Sequence, residues 1–260
     1  MNDPRNFKGK VVLTTGSSSG IGAGIAKLFA QLGAHVVITG RKETEILKVA
    51  NECQQLSPEK LKPLQVVGDV SKSEDLQRLL DETIKTFGQL DVLVNNAGIA
   101  LSAGVTDKEF MPVFDKIMSV NLHPFVELSH LSVPYLNKTN GTIINISSNL
   151  SQVPMKTQLA YEVSKVGIDM MTRVLALELG PTIRVNTVNP GITETNLVEK
   201  TEHMEQMLKV AIDRTPMKRI AQPRDVAESV VYLASSAATF VTGANLVIDG
   251  GIMYNLGGMR

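Results

Sequence analysis

The chain has 260 residues, enough to bury a large core, and 26 Lys+Arg set against 26 Asp+Glu leave it without net charge. That balance lacks the basic footprint that nucleic acid or an anionic membrane surface requires. The single cysteine, Cys53, rules out an intrachain disulfide and a multi-cysteine metal site, and His35, His123, His130 and His203 have no ligand spacing, so no metal is expected.

Short β-branched runs alternate with amphipathic segments along the chain. A first strand is expected at Val11–Thr15 and a helix at Ile21–Leu32, joined by Gly16-Ser17-Ser18-Ser19-Gly20-Ile21-Gly22. Glycines at that turn let backbone N–H groups approach a pyrophosphate, which the positive end of the helix favours. The spacing is GxxxGxG rather than GxGxxG, since Ile25 stands where the third glycine of the latter falls. Strands then read at His35–Thr39, Leu64–Val67 and Asp91–Val94, with helices at Glu43–Leu56, Ser73–Phe87 and Asp107–Leu136. Pro124 is an irregularity in the last of these, because it removes an i→i−4 hydrogen bond. Thr142–Ser147 reads as the fifth strand, Thr157–Leu179 as a helix, Arg184–Val188 and Leu246–Ile248 as strands, and Pro223–Ala234 as a helix. The pattern specifies a single α/β domain over residues 1–260 with a doubly wound, mainly seven-stranded parallel sheet covered by helices on both faces. Ile192–Pro216 is too long for an ordinary βα connection and reads as a functional insertion.

The most informative stretch is Ser148 to Lys165. Tyr161 and Lys165 are four apart, which on a helix sets phenol and ammonium on one face, about a turn apart. A phenol normally titrates near ~10, so a neighbouring lysine is expected to lower it and make the pair an acid/base at neutral pH. Ser148 lies at the end of the fifth strand, where a sheet delivers side chains to its edge, and alternation turns Ser147 the other way. YxxxK alone is weak, being expected by chance in roughly one such chain in five.

Together with Thr15-Gly16-xxx-Gly20-Ile21-Gly22, Asn95-Asn96-Ala97-Gly98, Asn121 and Pro190-Gly191, these residues occur in the order and spacing of the short-chain dehydrogenase/reductase family, which the chain resembles along nearly its whole length. The resemblance implies an oxidoreductase interconverting a secondary alcohol and a ketone, with Asn121, Ser148, Tyr161 and Lys165 as its catalytic set; the alternative is an NADP(H)-binding regulator or scaffold of the same fold without turnover, against which the intact set of four speaks. Tyr161 serves as general acid/base, Ser148 holds the reacting oxygen, and Lys165 tunes Tyr161 and grips the nicotinamide ribose. For Asn121 two readings stand: positioning a water that links Lys165 to solvent, or a polar helix residue bonded to backbone.

The same resemblance assigns Gly16, Ser19, Gly20, Ile21 and Gly22 to the cofactor phosphates, Asp69 and Val70 to the adenine, and Asn95, Ala97 and Gly98 to the ribose side. Asp69 reads equally as a helix cap and Asn95–Gly98 as a turn. Pro190 and Gly191 bend the chain under the nicotinamide; Ile192 and either Thr193 or Thr195 meet its carboxamide, ordinary loop roles being the alternative for both threonines. Where enzymes using NAD carry an acid after the second strand, this chain has Gly40, followed by Arg41; with Ser18 nearby, that implies NADP(H), a guanidinium suiting the 2′-phosphate. Ser151 departs from the family, which often has glycine there.

Leu150, Val153, Pro154, Leu197, Met204, Met207 and Leu208 suggest either apolar walls of a pocket for a small-molecule carbonyl or alcohol, or packing of the insertion onto the body. The helix carrying Tyr161 has a second apolar stripe, Val163, Val166, Met170, Val174 and Leu177, opposite Ile168, Thr172, Leu175 and Leu179. It predicts burial against something outside the sheet, either another part of the same chain or the same helix of a second subunit; the family resemblance implies the latter, a homotetramer or dimer built through this helix and the one before it. No apolar run reaches a membrane span, residues 1–10 are too polar for a signal peptide, and Gly258-Met259-Arg260 is no recognised address, so the expected location is the cytoplasm.

Overall fold

A computed structural model describes residues 3–195 and 202–255. Its seven strands are β1 (Val11–Thr14), β2 (His35–Gly40), β3 (Leu64–Val67), β4 (Val92–Asn95), β5 (Thr142–Ile146), β6 (Arg184–Pro190) and β7 (Asn245–Ile248). They form one parallel sheet in the order β3-β2-β1-β4-β5-β6-β7. The fold class read from the sequence is therefore the one observed. β-branched residues fill the strands because both faces of the sheet are covered, and successive residues serve opposite cores. Val12, Ile38 and Val94 pack under α1 (Gly20–Gln31), α2 (Glu43–Leu56) and α8 (Pro223–Ala234). Val11, Leu13, Val37 and Leu93 pack under α3 (Ser73–Phe87), α5 (His123–Thr139) and α6 (Leu159–Leu179). Cys53 is buried in the first of these cores, and burial pushes its thiol up to about 12, an unreactive state.

Two elements differ from the sequence reading. The segment expected as one helix over residues 107–136 is two: α4 (Phe110–Asn121) stops at Leu122, and α5 restarts with Pro124 in its first turn. Proline supplies no N–H and fixes its own φ, so it suits a helix start, whereas in a helix interior, as at Pro134 of α5, it costs a backbone hydrogen bond. The expected helix from Thr157 begins two residues later at Leu159, since Thr157 has φ +64° and ends the preceding loop in a left-handed conformation. Within the insertion over residues 192–216 lies α7 (Glu202–Arg214). Leu197 and the side chain of Met204 lie outside the described residues.

Candidate active site

In this strand order the connections leave β1 and β4 in opposite directions, opening a crevice between their carboxyl ends, where doubly wound sheets take ligands. Gly16 (φ +63°) and Gly20 (φ +53°) make the turn at that crevice. A Cβ on Gly22 would stand 2.4 Å from the Gly16 carbonyl oxygen and 2.5 Å from Asn96 Nδ2, so only glycine lets the helix sit this close to the turn. Thr15 Oγ1 accepts from the N–H groups of Asn96 (2.9 Å) and Ala97 (3.0 Å), while Asn96 Nδ2 donates to the Thr15 carbonyl at 2.8 Å. Ser17 Oγ, accepting from the Thr39 N–H at 2.9 Å, ties the turn to β2. Helix α1 starts at Gly20 with no side-chain capping bond from Ser19 and no acid in its first turn, which suits its N–H groups to an anion; Ile21 follows in the same turn. A glycine cradle with an uncapped helix end fits the pyrophosphate of a dinucleotide.

The corner beyond β2 is shaped by Ser18. A Cβ on Gly40 would fall 2.3 Å from Ser18 Oγ and 2.9 Å from Ser18 Cβ, so Ser18 fills the space that a side chain on residue 40 would need. Arg41 is exposed beside it, near Asp69. Asp69 accepts from the N–H (3.0 Å) and hydroxyl (2.7 Å) of Ser71, and these bonds, then the charge of Arg41, hold its carboxyl below the usual range. Lys72, not Asp69, precedes the first turn of α3, and Val70 is half-buried at this corner.

Of the ribose-side residues, Ala97 and Gly98 are half-exposed at the crevice. The side chain of Asn95 is not there. It is buried, donating to Asn145 Oδ1 (2.9 Å) and Ser129 Oγ (3.1 Å), and Asn145 passes the chain on to Thr172 Oγ1 (2.8 Å). As the last residue of β4, Asn95 turns its side chain under α5 and α6, which leaves only its backbone for a ligand.

Ser148, Tyr161 and Lys165 converge where β5 ends. Ser147 turns inward, its hydroxyl donating to the Lys165 carbonyl at 3.1 Å. Ser148 Oγ accepts from the Leu150 N–H at 3.1 Å and is hydrogen-bonded to the Tyr161 hydroxyl. Tyr161 sits in the first turn of α6, and Glu162 beside it anchors the preceding loop by accepting from the Met155 N–H at 2.6 Å. Lys165 Nζ donates to the Ile146 carbonyl at 2.9 Å and lies 5.5 Å from the Tyr161 ring centre and 5.7 Å from that of Phe125.

One expectation is corrected by these positions. Lys165 does not lower Tyr161 here: burial pushes the phenol up, opposed only by the bond to Ser148. Lysine itself is the strongly shifted member, brought by burial down to about 8 against the opposing charge of Asp169. The cause is orientation, since the ammonium faces the β5 carbonyl rather than the phenol oxygen.

Asn121 is fully buried at the end of α4; Oδ1 accepts from the Ile99 N–H and Nδ2 donates to the Ile99 carbonyl, both at 2.9 Å. Its side chain is thus the backbone clamp of the second reading. Its main-chain carbonyl is freed by the helix break, because the Phe125 N–H turns to Leu122 at 3.1 Å instead. Past Pro190, a Cβ on Gly191 would lie 2.6 Å from Asp249 Cβ, so the bend requires glycine. The Ile192 carbonyl accepts from the Ala221 N–H at 3.0 Å, and Thr193 Oγ1 donates to the Gly191 carbonyl at 3.1 Å. Thr195 leans on the phosphate turn, its Cγ2 being 3.2 Å from a Cβ built on Gly20. Leu150 and Val153 are half-buried, and Pro154 and Met207 are exposed.

Asn96, which braces the glycine turn, and Asp169, one turn past Lys165, were not singled out as site residues from the sequence. The signal for Asp169 was readable, since an acid four residues after Lys165 shares its helix face.

Crevice, glycine cradle and the serine–tyrosine–lysine cluster define a dinucleotide-binding oxidoreductase. A family model described as Enoyl-(Acyl carrier protein) reductase matches residues 16–253. The chain is 36% identical over 252 residues to a 3-oxoacyl-(acyl-carrier-protein) reductase of Thermotoga maritima, covering 95% of this chain and 99% of that protein. It is 37% identical over 256 residues to an L-fucose dehydrogenase of Mus musculus, covering 96% and 91%. The solved structure of a dehydrogenase/reductase from Sinorhizobium meliloti superposes with a TM-score of 0.88 at 34% identity, covering 96% of this chain and 97% of that one. The protein belongs to the short-chain dehydrogenase/reductase family. No helix among the described residues is long and apolar enough to cross a membrane.

Proposed function

We propose that the protein is an NADP(H)-dependent oxidoreductase that interconverts a secondary alcohol and a ketone, with Tyr161 as general acid/base. The observation that carries this is the convergence of Ser148, Tyr161 and Lys165 at the end of β5, beside the glycine cradle. When bound, the nicotinamide supplies the hydride for reduction or accepts it in oxidation. Tyr161, held protonated by its burial, donates its proton to the substrate oxygen in the reductive direction. Ser148, aimed by the Leu150 N–H, steadies that oxygen with its hydroxyl. Lys165, brought by burial to about 8, is poised near neutral pH as the proton reserve of the site, reaching Tyr161 through an intervening hydroxyl or water because its ammonium faces the Ile146 carbonyl. The freed carbonyl of Asn121 is suited to hold a water on the route from Lys165 to solvent.

The preference for NADP(H) rests on the β2 corner: Ser18 occupies the space beside Gly40, and Arg41 offers an exposed guanidinium there. The relatives' names span a reductase and a sugar dehydrogenase, so they do not choose a substrate; the apolar residues Leu150, Val153 and Met207 favour a substrate with an apolar body. A homo-oligomer is proposed through α6, because all five residues of its second stripe, Val163, Val166, Met170, Val174 and Leu177, are exposed in the single chain. Oxidation of NADPH by the purified protein over a panel of steroid, retinoid, prenol, acyl and sugar carbonyls tests the reading. Consumption with at least one class is expected, and inertness toward all of them, with NADPH unbound, would refute it.

A further inference from the structure

Beneath Ser148 lies a buried polar group that the proposed chemistry does not use. The Ser148 carbonyl accepts from the Ser151 N–H (3.1 Å), the Ser151 hydroxyl (2.8 Å) and Asn189 Nδ2 (3.1 Å). Asn189 Nδ2 also lies 3.1 Å from both carboxylate oxygens of Asp169, and the Ser151 hydroxyl lies 2.7 Å from Asp169 Oδ2. Asn189 is fully buried and Asp169 is 5% exposed. The amide of Asn189 has one possible orientation. Its Oδ1 accepts from the Thr187 hydroxyl at 2.8 Å, and its NH2 faces a carbonyl and a carboxylate, which are acceptors only. Three elements, the turn after β5, the end of β6 and the middle of α6, are thus locked at one point, directly behind the serine that holds the reacting oxygen.

A carboxylate is a costly group to bury for this purpose. Fixing one turn and one strand end needs only an acceptor, which an asparagine or a glutamine also provides, whereas an ionised carboxyl at this depth must be balanced by charge or strong donors. What a charge adds is an effect on Lys165, one helical turn away on the same helix. Among the described residues, those about Lys165 are the Tyr161 ring on α6, the Phe125 ring from α5, the Ile146 carbonyl from β5 and, one turn on, the Asp169 carboxylate, of which the last alone carries a full charge. Burial works against the ammonium, and Asp169 works for it.

We propose that Asp169 is a positioning residue with two outputs: through Asn189 and Ser151 it fixes the direction of the Ser148 hydroxyl, and, buried one turn from Lys165 on the same face of α6, its carboxylate sets the charge environment of that lysine. The proposal rests on the roles given above to Ser148, Tyr161 and Lys165. It also gives Ser151 a part: its hydroxyl lies between the Asp169 carboxylate (2.7 Å) and the Ser148 carbonyl (2.8 Å) and gives its one proton to either, which couples the two.

The two outputs separate by substitution. Asp169→Asn keeps the shape and an acceptor and removes the charge; Ser151→Ala keeps the charge and removes the bridge. In protein with 13C-labelled lysine side chains and no cofactor, NMR titration is expected to place Lys165 near pH 8 in the unmodified chain and in Ser151→Ala, and measurably lower in Asp169→Asn. Lys165→Ala assigns the signal. In steady-state reduction, the alkaline limb of the kcat profile moves to lower pH in Asp169→Asn only, while Ser151→Ala lowers kcat ~5–10-fold with the NADPH Kd unchanged. An unchanged Lys165 midpoint in Asp169→Asn overturns the charge role; unaltered kcat in Ser151→Ala overturns the aiming role, and it carries that test alone if Asp169→Asn does not fold. The titration needs neither substrate nor cofactor, so its outcome stands apart from that of the reductase reading.

Discussion

Replacing Lys165 with methionine is expected to stabilise the cofactor-free fold while abolishing turnover. Lys165 is 4% exposed, and burial brings it from 10.5 down to about 8. At ~1.4 kcal/mol per pH unit, its charged form is about 3 kcal/mol less favourable in the folded chain than in the unfolded one. Methionine is similar in reach and flexibility and carries no charge, but it leaves the Ile146 carbonyl without its donor, a loss of ~1 kcal/mol. The net gain is about 2 kcal/mol, or roughly 4–8 °C in Tm for a chain of this size. The sign is opposite to that of a lysine gaining a partner, because the folded value lies below the unfolded one. The penalty is complete below about pH 8 and fades as pH rises toward 10.5, where the folded-state group is already neutral. Thermal unfolding by circular dichroism at about pH 7 and about pH 9.5 reads both features, and the variant should lead at the lower pH with the gap narrowed at the higher. A variant no more stable than the parent at neutral pH, or a gap independent of pH, would refute the reasoning.

Arg41→Ala should weaken NADPH binding ~5–30-fold, the ~1–2 kcal/mol of an exposed charge-assisted contact, and leave NADH binding unchanged; equal losses for both would remove the 2′-phosphate from Arg41. Gly40→Asp alone should unfold at lower temperature, because its Cβ meets Ser18 Oγ at 2.3 Å, whereas Ser18→Gly with Gly40→Asp should fold and prefer NADH; kcat/KM for the two cofactors decides. Met170→Lys, placing a charge in the exposed stripe of α6, should lower the mass seen by light scattering after size exclusion, and a parent that is itself monomeric at micromolar concentration would reassign that stripe.

Much of the fold and site was legible because it is local or periodic. The glycine turn is dictated by backbone approach, and alternation along β5 placed Ser147 inward and Ser148 outward. What the sequence hid depends on partners distant along the chain. Asn95 belongs by position to the Asn95–Gly98 turn at the crevice, yet its side chain is claimed by Asn145 and Ser129. The spacing of Tyr161 and Lys165 gives a shared face but not a direction, and the Ile146 carbonyl, 19 residues before Lys165, draws the ammonium away from the phenol. Helix periodicity ran through Leu122 without showing that Pro124 starts a new helix rather than kinking an old one. Asn189 looks like one more loop polar residue until β6 and α6 enclose it.

The central claim is that Tyr161 moves the proton while the rest of the site binds and aligns. Tyr161→Phe keeps the ring and removes the hydroxyl, so steady-state NADPH oxidation with the best carbonyl from the panel, measured beside fluorescence titration of NADPH, isolates that step. The account expects kcat to fall at least ~10²-fold with the NADPH Kd within about twofold of the parent. A Tyr161→Phe protein that turns over at near the parent rate would contradict it.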